Sequence, residues 1–129
     1  MEPDEVVKEI MDEEGVVASA VVTKDGQTLA VNVPEGKSAD VFSILGATLF
    51  GAGDASHNNM WGGKITDVTA VGERGAILAA GDGGVVICCA LELEKPGEKK
   101  ATKRVEKVKE RMKKLLVEVQ KSESFSSMV

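Results

Sequence analysis

Apolar residues recur along the chain at two spacings, and the changes of spacing mark out eight elements. In PDEVVKEIMDEEG, Val6, Val7, Ile10 and Met11 follow the three-four spacing of a helix. Pro3 suits a first helical turn, the acids beside it suit the helix dipole, and Gly15 stands where the helix would end. VVASAVVT and TLAVNV are β-rich runs joined by Lys24-Asp25-Gly26-Gln27, whose Asp-Gly pair predicts a tight hairpin turn with positive backbone angles. Pro34, Glu35 and Gly36 break the second run, and Ser38 is the expected N-cap of a long central helix reaching Met60. Gly62 and Gly63 then lead into KITDVTAVG, and AILAAG and VVICCALEL complete a set of five strands. The turns between these three runs are Glu73-Arg74-Gly75 and Asp82-Gly83-Gly84. The last two runs are nearly continuous in apolar residues, which predicts a sheet covered on both faces. Beyond Pro96 and Gly97, Val105, Val108, Met112, Leu115 and Val119 give a final helix one clean apolar stripe. The expected order is helix, two strands, helix, three strands, helix, as a single domain over residues 1–121 with a flexible C-terminal tail over 122–129.

The central helix departs from this regularity. Val41, Leu45, Thr48 and Ala52 form one stripe, while Phe42, Leu49, Gly46, Ala47 and Gly53 fill much of the remainder, and no ionised side chain lies between Asp40 and Asp54. A lone surface helix carries one apolar and one charged face. A helix apolar all round is either wholly buried, which a chain of 129 residues can hardly arrange, or shared between its own sheet and a second molecule. The second arrangement is the expected one.

Composition narrows the functions. Aromatic residues make up 3% of the chain and tyrosine is absent, so no platform for stacking nucleic-acid bases is expected. No apolar run approaches the roughly 20 residues of a membrane span, and the acidic start MEPDE lacks the character of a signal peptide, so a cytoplasmic protein without membrane contact is expected. Cys88 and Cys89 are adjacent in a predicted strand and point to opposite faces, which makes them small buried hydrophobes. The net charge of -5 divides unevenly: residues 1–97 carry 6 basic and 16 acidic side chains, and residues 98–129 carry 10 basic and 5 acidic. Nine Lys or Arg fall between Lys99 and Lys114. With a pI near 5.0 and no aromatic in that helix, a solvated or acid-paired face is expected, with no nucleic acid bound. If the first and last helices share a sheet face, Glu5, Glu9, Asp12 and Glu13 would lie near Lys103, Arg104, Lys107 and Arg111.

Catalytic signatures are incomplete. Gly36-Lys37-Ser38 has the end of a phosphate-binding loop, but Val31 occupies the position of its first glycine, so a loop and helix cap suffice. His57 is the sole histidine, and pairing it with a mid-strand cysteine and Asp54 asks for a thiolate in an apolar run. Metal-ligand spacing is absent. Arg74 reads as a turn residue. No enzyme activity, cofactor or metal is expected.

The order of elements, the Asp25-Gly26 hairpin, the small-residue-rich helix from Ser38 to Met60 and Asp82-Gly83-Gly84 together resemble the roadblock / dynein light chain family, a longin-like fold. The resemblance covers about residues 3–121. It implies an α+β, three-layer α/β/α architecture: a five-stranded antiparallel sheet with the central helix on one face and the two terminal helices on the other. It further implies a homodimer whose third strands pair edge to edge and whose central helices lie side by side. Gly46, Gly53, Met60, Trp61, Lys64, Thr66 and Val68 are the expected dimer positions, with capping of the core as the other reading of Trp61. The function implied is a non-enzymatic adaptor that binds a Ras-like small GTPase and activates or scaffolds it. Asp40, Ser43, Ala47 and Asp54, taken as exposed on the central helix, are the expected partner contacts. A structural subunit of a larger assembly without a GTPase, and a small-molecule sensor, are the alternatives.

Overall fold

A computed structural model describes residues 1–82 and 84–121. Gly83 of the predicted last turn and the tail 122–129 lie outside the described residues. The elements are α1 (Pro3–Met11), β1 (Val16–Thr23), β2 (Thr28–Asn32), α2 (Ala39–Trp61), β3 (Asp67–Val71), β4 (Gly75–Asp82), β5 (Val85–Glu92) and α3 (Lys99–Gln120). The five strands form one antiparallel sheet in the order β2-β1-β5-β4-β3, so the apolar runs of β4 and β5 lie inside it and β3 is an edge. Alternation along each strand divides the core in two. Val21, Leu78, Ile87, Cys89 and Leu91 pack with α1 and α3, while Ala20, Val22, Ala79, Val86 and Cys88 pack under α2. The α+β, three-layer arrangement is therefore the expected one.

Each helix is fixed by the residues its sequence advertised. Val6, Val7 and Ile10 of α1 and the whole stripe Val105, Val108, Met112, Leu115 and Val119 of α3 are buried. Arg111 pairs with Glu9 of α1 and Arg104 with Glu14 in the turn that follows it, so α3 is tied to the acidic N-terminal segment by two ion pairs, the second using an acid one residue beyond those expected. The Ser38 hydroxyl accepts from the Val41 N–H and caps α2 as predicted.

One turn and one strand differ from the sequence reading. In the first hairpin only Gly26 has a positive φ (94°), and Asp25 instead accepts from the Thr23 hydroxyl, which also receives the Gln27 N–H. The loop is thus a three-residue connection with glycine in the left-handed position. That bond also holds the Asp25 carboxyl below its usual range. The third strand begins at Asp67 and not at Lys64, because the Ile65 N–H is donated back to Asp54 Oδ1 of α2 at 3.1 Å, outside the ladder.

Candidate interaction surface

The sheet side of α2 is built for close approach. A Cβ at Gly46 would lie 2.5 Å from Cys88 Sγ, one at Gly53 would lie 2.5 Å from Val68 Cγ2, and the Phe50 ring covers Gly81. Ser43, Ala47 and Phe50 are buried on this side as well. Four expected positions lie on this side. The Cβ sides of Gly46 and Gly53 face the helix's own sheet, and Ser43 and Ala47, expected to be exposed, are buried against that sheet. Asp54 is half-buried and holds the loop through Ile65, while Asp40 is exposed.

The outer side of α2 is bare. Val41, Ile44 and Leu45 are 54%, 53% and 60% exposed, and Thr48, Gly51, Ala52 and Ala55 continue the same face with small side chains. At the far end, Met60 and Trp61 are exposed, and the Trp61 ring meets the His57 ring at 5.2 Å. A contiguous apolar face of this extent, free of charge between Asp40 and Asp54, is the mark of an interface. Its small residues permit another backbone to approach closely.

Beside this face lies the unpaired edge of β3. Gly72 N–H donates to Gly75 O at one end of the β3–β4 ladder and Gly81 N–H to Thr66 O at the other. Alternation between these bonded pairs turns the backbone groups of Val68 and Ala70 toward β4 and those of Asp67, Thr69 and Val71 toward the open edge. Lys64 and Thr66 precede the strand, and the Thr66 carbonyl, like the backbone groups of Val68, faces β4.

The edge is pinned from behind. Asp67 is tied to Lys113 at 2.8 Å and Lys109 at 3.6 Å, and the Thr66 hydroxyl donates to it. Partial burial pushes the Asp67 carboxyl up, but the bonds from Lys113 and Thr66 and the charges of Lys109 and Lys113 outweigh it and hold the group below its ordinary value. Asp67→Asn should cost about 1–2 kcal/mol at neutral pH. Because the folded pKa is depressed, this contribution is present above about pH 4 and is lost as pH falls through the folded value. Urea denaturation at pH 7 and pH 3 checks it: the gap between the two proteins should be smaller at the second than at the first, and an equal gap at both would reject the clamp.

The chemical candidates are placed apart. Cys88 lies under α2 and Cys89 against Met112 on the opposite face, and burial pushes both thiols up to about 12. Neither is a nucleophile at neutral pH. Among the described residues no group of three His, Cys, Asp or Glu side chains could hold a metal ion, and no helix is long and apolar enough to cross a membrane.

Comparison with known proteins agrees with this geometry. The Roadblock/LC7 domain model matches residues 2–91. An uncharacterized protein of Methanocaldococcus jannaschii is 30% identical over 86 residues, covering 65% of this chain and 75% of its own. Among solved structures, a Roadblock/LC7 domain from Streptomyces avermitilis superposes with a TM-score of 0.77 at 15% identity, over 93% of this chain and 96% of that one. The gliding protein MglB of Thermus thermophilus does so with a TM-score of 0.65 at 18% identity, over 88% and 87%. At these identities the structural likenesses speak for the fold, and the family match covers most of the chain. With an unpaired edge strand beside a bare central helix on that fold, the chain belongs to the Roadblock/LC7 domain family.

Proposed function

We propose that the chain is a non-enzymatic homodimeric adaptor that binds a Ras-like small GTPase and regulates or localises it. The observation that carries this reading is the uncharged outer face of α2, with Val41, Ile44 and Leu45 more than half exposed. Membership of the Roadblock/LC7 family supports the same assignment of that face to protein contacts. In the dimer the edge strands pair and the two α2 helices lie side by side, so their outer surfaces make one continuous platform. Asp40 stands at the N-terminal rim of that platform, where an acid can orient a basic segment of the partner. A platform that grips the switch regions more tightly in one nucleotide state biases the GTPase toward that state, and the bias equals the difference in affinity. The chain's own chemistry is limited to binding.

Affinity capture from native extract, run in parallel with GDP and with a non-hydrolysable GTP analogue, tests this reading. The expected result is a small GTPase retained more strongly in one nucleotide state, and a platform variant such as Ile44→Asp should lose it. Retention of other proteins alone, indifferent to nucleotide, would replace the reading with that of a structural subunit.

A further inference from the structure

The last third of α2 has no sheet beneath it. Gly46 sits over β5, Phe50 over β4 and Gly53 over β3, so the helix crosses toward the edge as it advances. Trp61 follows eight residues later, about 12 Å further along the axis at 1.5 Å per residue. Strands lie about 4.8 Å apart, so this length overhangs the edge by roughly two strands. Consistent with an overhang, no residue from Asp54 to Lys64 is buried, and Trp61 is 76% exposed in spite of its size.

A complementary vacancy lies on the same face of the sheet. Ala70, Ile77 and Ala90 are neighbours across β3, β4 and β5, and α2 passes them by. With Val17 and Arg74 they line a recess of about 750 Å³, in which Ile77 and Val17 remain more than a third exposed.

Edge geometry relates the two. The outward backbone groups belong to Asp67, Thr69 and Val71, and antiparallel pairing with a second copy uses all three only when the two-fold axis passes between the two Thr69 residues. Pairing centred on Val68 or Ala70 uses two, and pairing centred on Asp67 sets like charges opposite each other. The Thr69 hydroxyl is shielded from water and has no hydrogen-bond partner among the described residues. In this register it meets its twin on the α1/α3 face, which Thr69 shares with its β4 neighbour Leu78. The axis is normal to the sheet, so both α2 helices stay on one face, and the overhang of each runs across the other copy on the Ala70–Ile77–Ala90 side of the axis.

We infer that in the homodimer Trp61 of each copy fills the partner's recess between Val17, Ala70 and Ile77, with Arg74 at its rim. The inference rests on the dimer proposed above and adds the residue that locks it. An indole inserted there buries its ring on Ile77 and Ala90 and sets a guanidinium beside its face. Two such plugs per dimer act together with six edge hydrogen bonds to exclude other registers.

Trp61 is the sole tryptophan, so its fluorescence reports the plug directly. For the wild type, sedimentation equilibrium should give a dimer whose emission is blue-shifted and shielded from iodide, turning red-shifted and open on dilution to monomer. Trp61→Ala and Ile77→Asp should each weaken the dimer at least about a hundredfold, as loss of two symmetric hot spots does. Mixing the two variants is decisive even if each folds less stably. The Ile77→Asp chain supplies the tryptophan, the Trp61→Ala chain supplies an intact recess, and emission should return to the blue in the heterodimer. A wild-type protein that is monomeric at every concentration rejects the dimer itself. A stable dimer whose Trp61 stays open to iodide and ignores Ile77→Asp rejects the plug alone.

Discussion

Gly46→Val is expected to destabilise the protein by about 3 kcal/mol, near the upper end for overpacking a core. A Cβ at residue 46 would lie 2.5 Å from Cys88 Sγ and 3.0 Å from Cys88 Cβ, and valine adds two methyl groups to that conflict. Neither side can yield. Cys88 is fully buried in β5 between Ala20 of β1 and Ala79 of β4. The helix is held to the same sheet on either side of the clash, by Phe50 over Gly81 and by Gly53 over Val68. Relief requires lifting α2, which exposes Phe50 and Ala47. The milder pair Gly46→Ala and Cys88→Ala isolates the cause. Removing the sulfur from beside the new methyl should make the double variant more stable than the sum of the single losses predicts, measured by urea denaturation. Strict additivity would reject the contact.

Leu45→Asp should act on association and leave the fold intact. Leu45 is the most exposed residue of the outer stripe Val41, Ile44 and Leu45, so aspartate there keeps its hydration in the monomer, and stability should change by no more than about 0.5 kcal/mol. In a dimer the same carboxylate would be forced into an apolar seam, without a lysine or arginine on α2 to pair with it. Dimer affinity should fall at least about a hundredfold, and GTPase capture with it. Gly46→Val and Leu45→Asp thus separate the two faces of one helix, one by denaturation and the other by association.

Residues with strong periodic or turn chemistry made most of the fold legible. The stripe of α3, the alternation that divides Cys88 from Cys89, the Ser38 cap and the order of elements all follow from local pattern. The two-sided character of α2 was legible too: Val41, Leu45, Thr48 and Ala52 were read as one stripe, and the structure exposes that stripe while the opposite side meets the sheet. Its phase was not. Without charges between Asp40 and Asp54, nothing marks the wet side, and Ser43 and Ala47 were assigned outward although they share the inner face with Gly46 and Phe50. The signal available was the cluster Ser43, Gly46, Ala47 at three-four spacing, since small side chains on one stripe permit close packing on a sheet. The start of β3 was hidden for another reason. Lys64-Ile65-Thr66 has strand-like composition, but the Ile65 N–H is committed to Asp54, a contact between residues eleven apart that no local pattern reveals. Glu14 as the partner of Arg104, and the pairing of Asp67 with Lys109 and Lys113, likewise depend on how α3 crosses the sheet.

On the function proposed above, the outer face of α2 is where this chain meets other molecules, beginning with its own copy. Sedimentation equilibrium of the wild type beside Leu45→Asp tests it most directly. The wild type should sediment at twice the 13.6 kDa chain mass, and the variant at the single-chain mass with unchanged circular dichroism. A wild type that stays at the single-chain mass at every concentration, or a variant that remains as dimeric as the wild type, would contradict it.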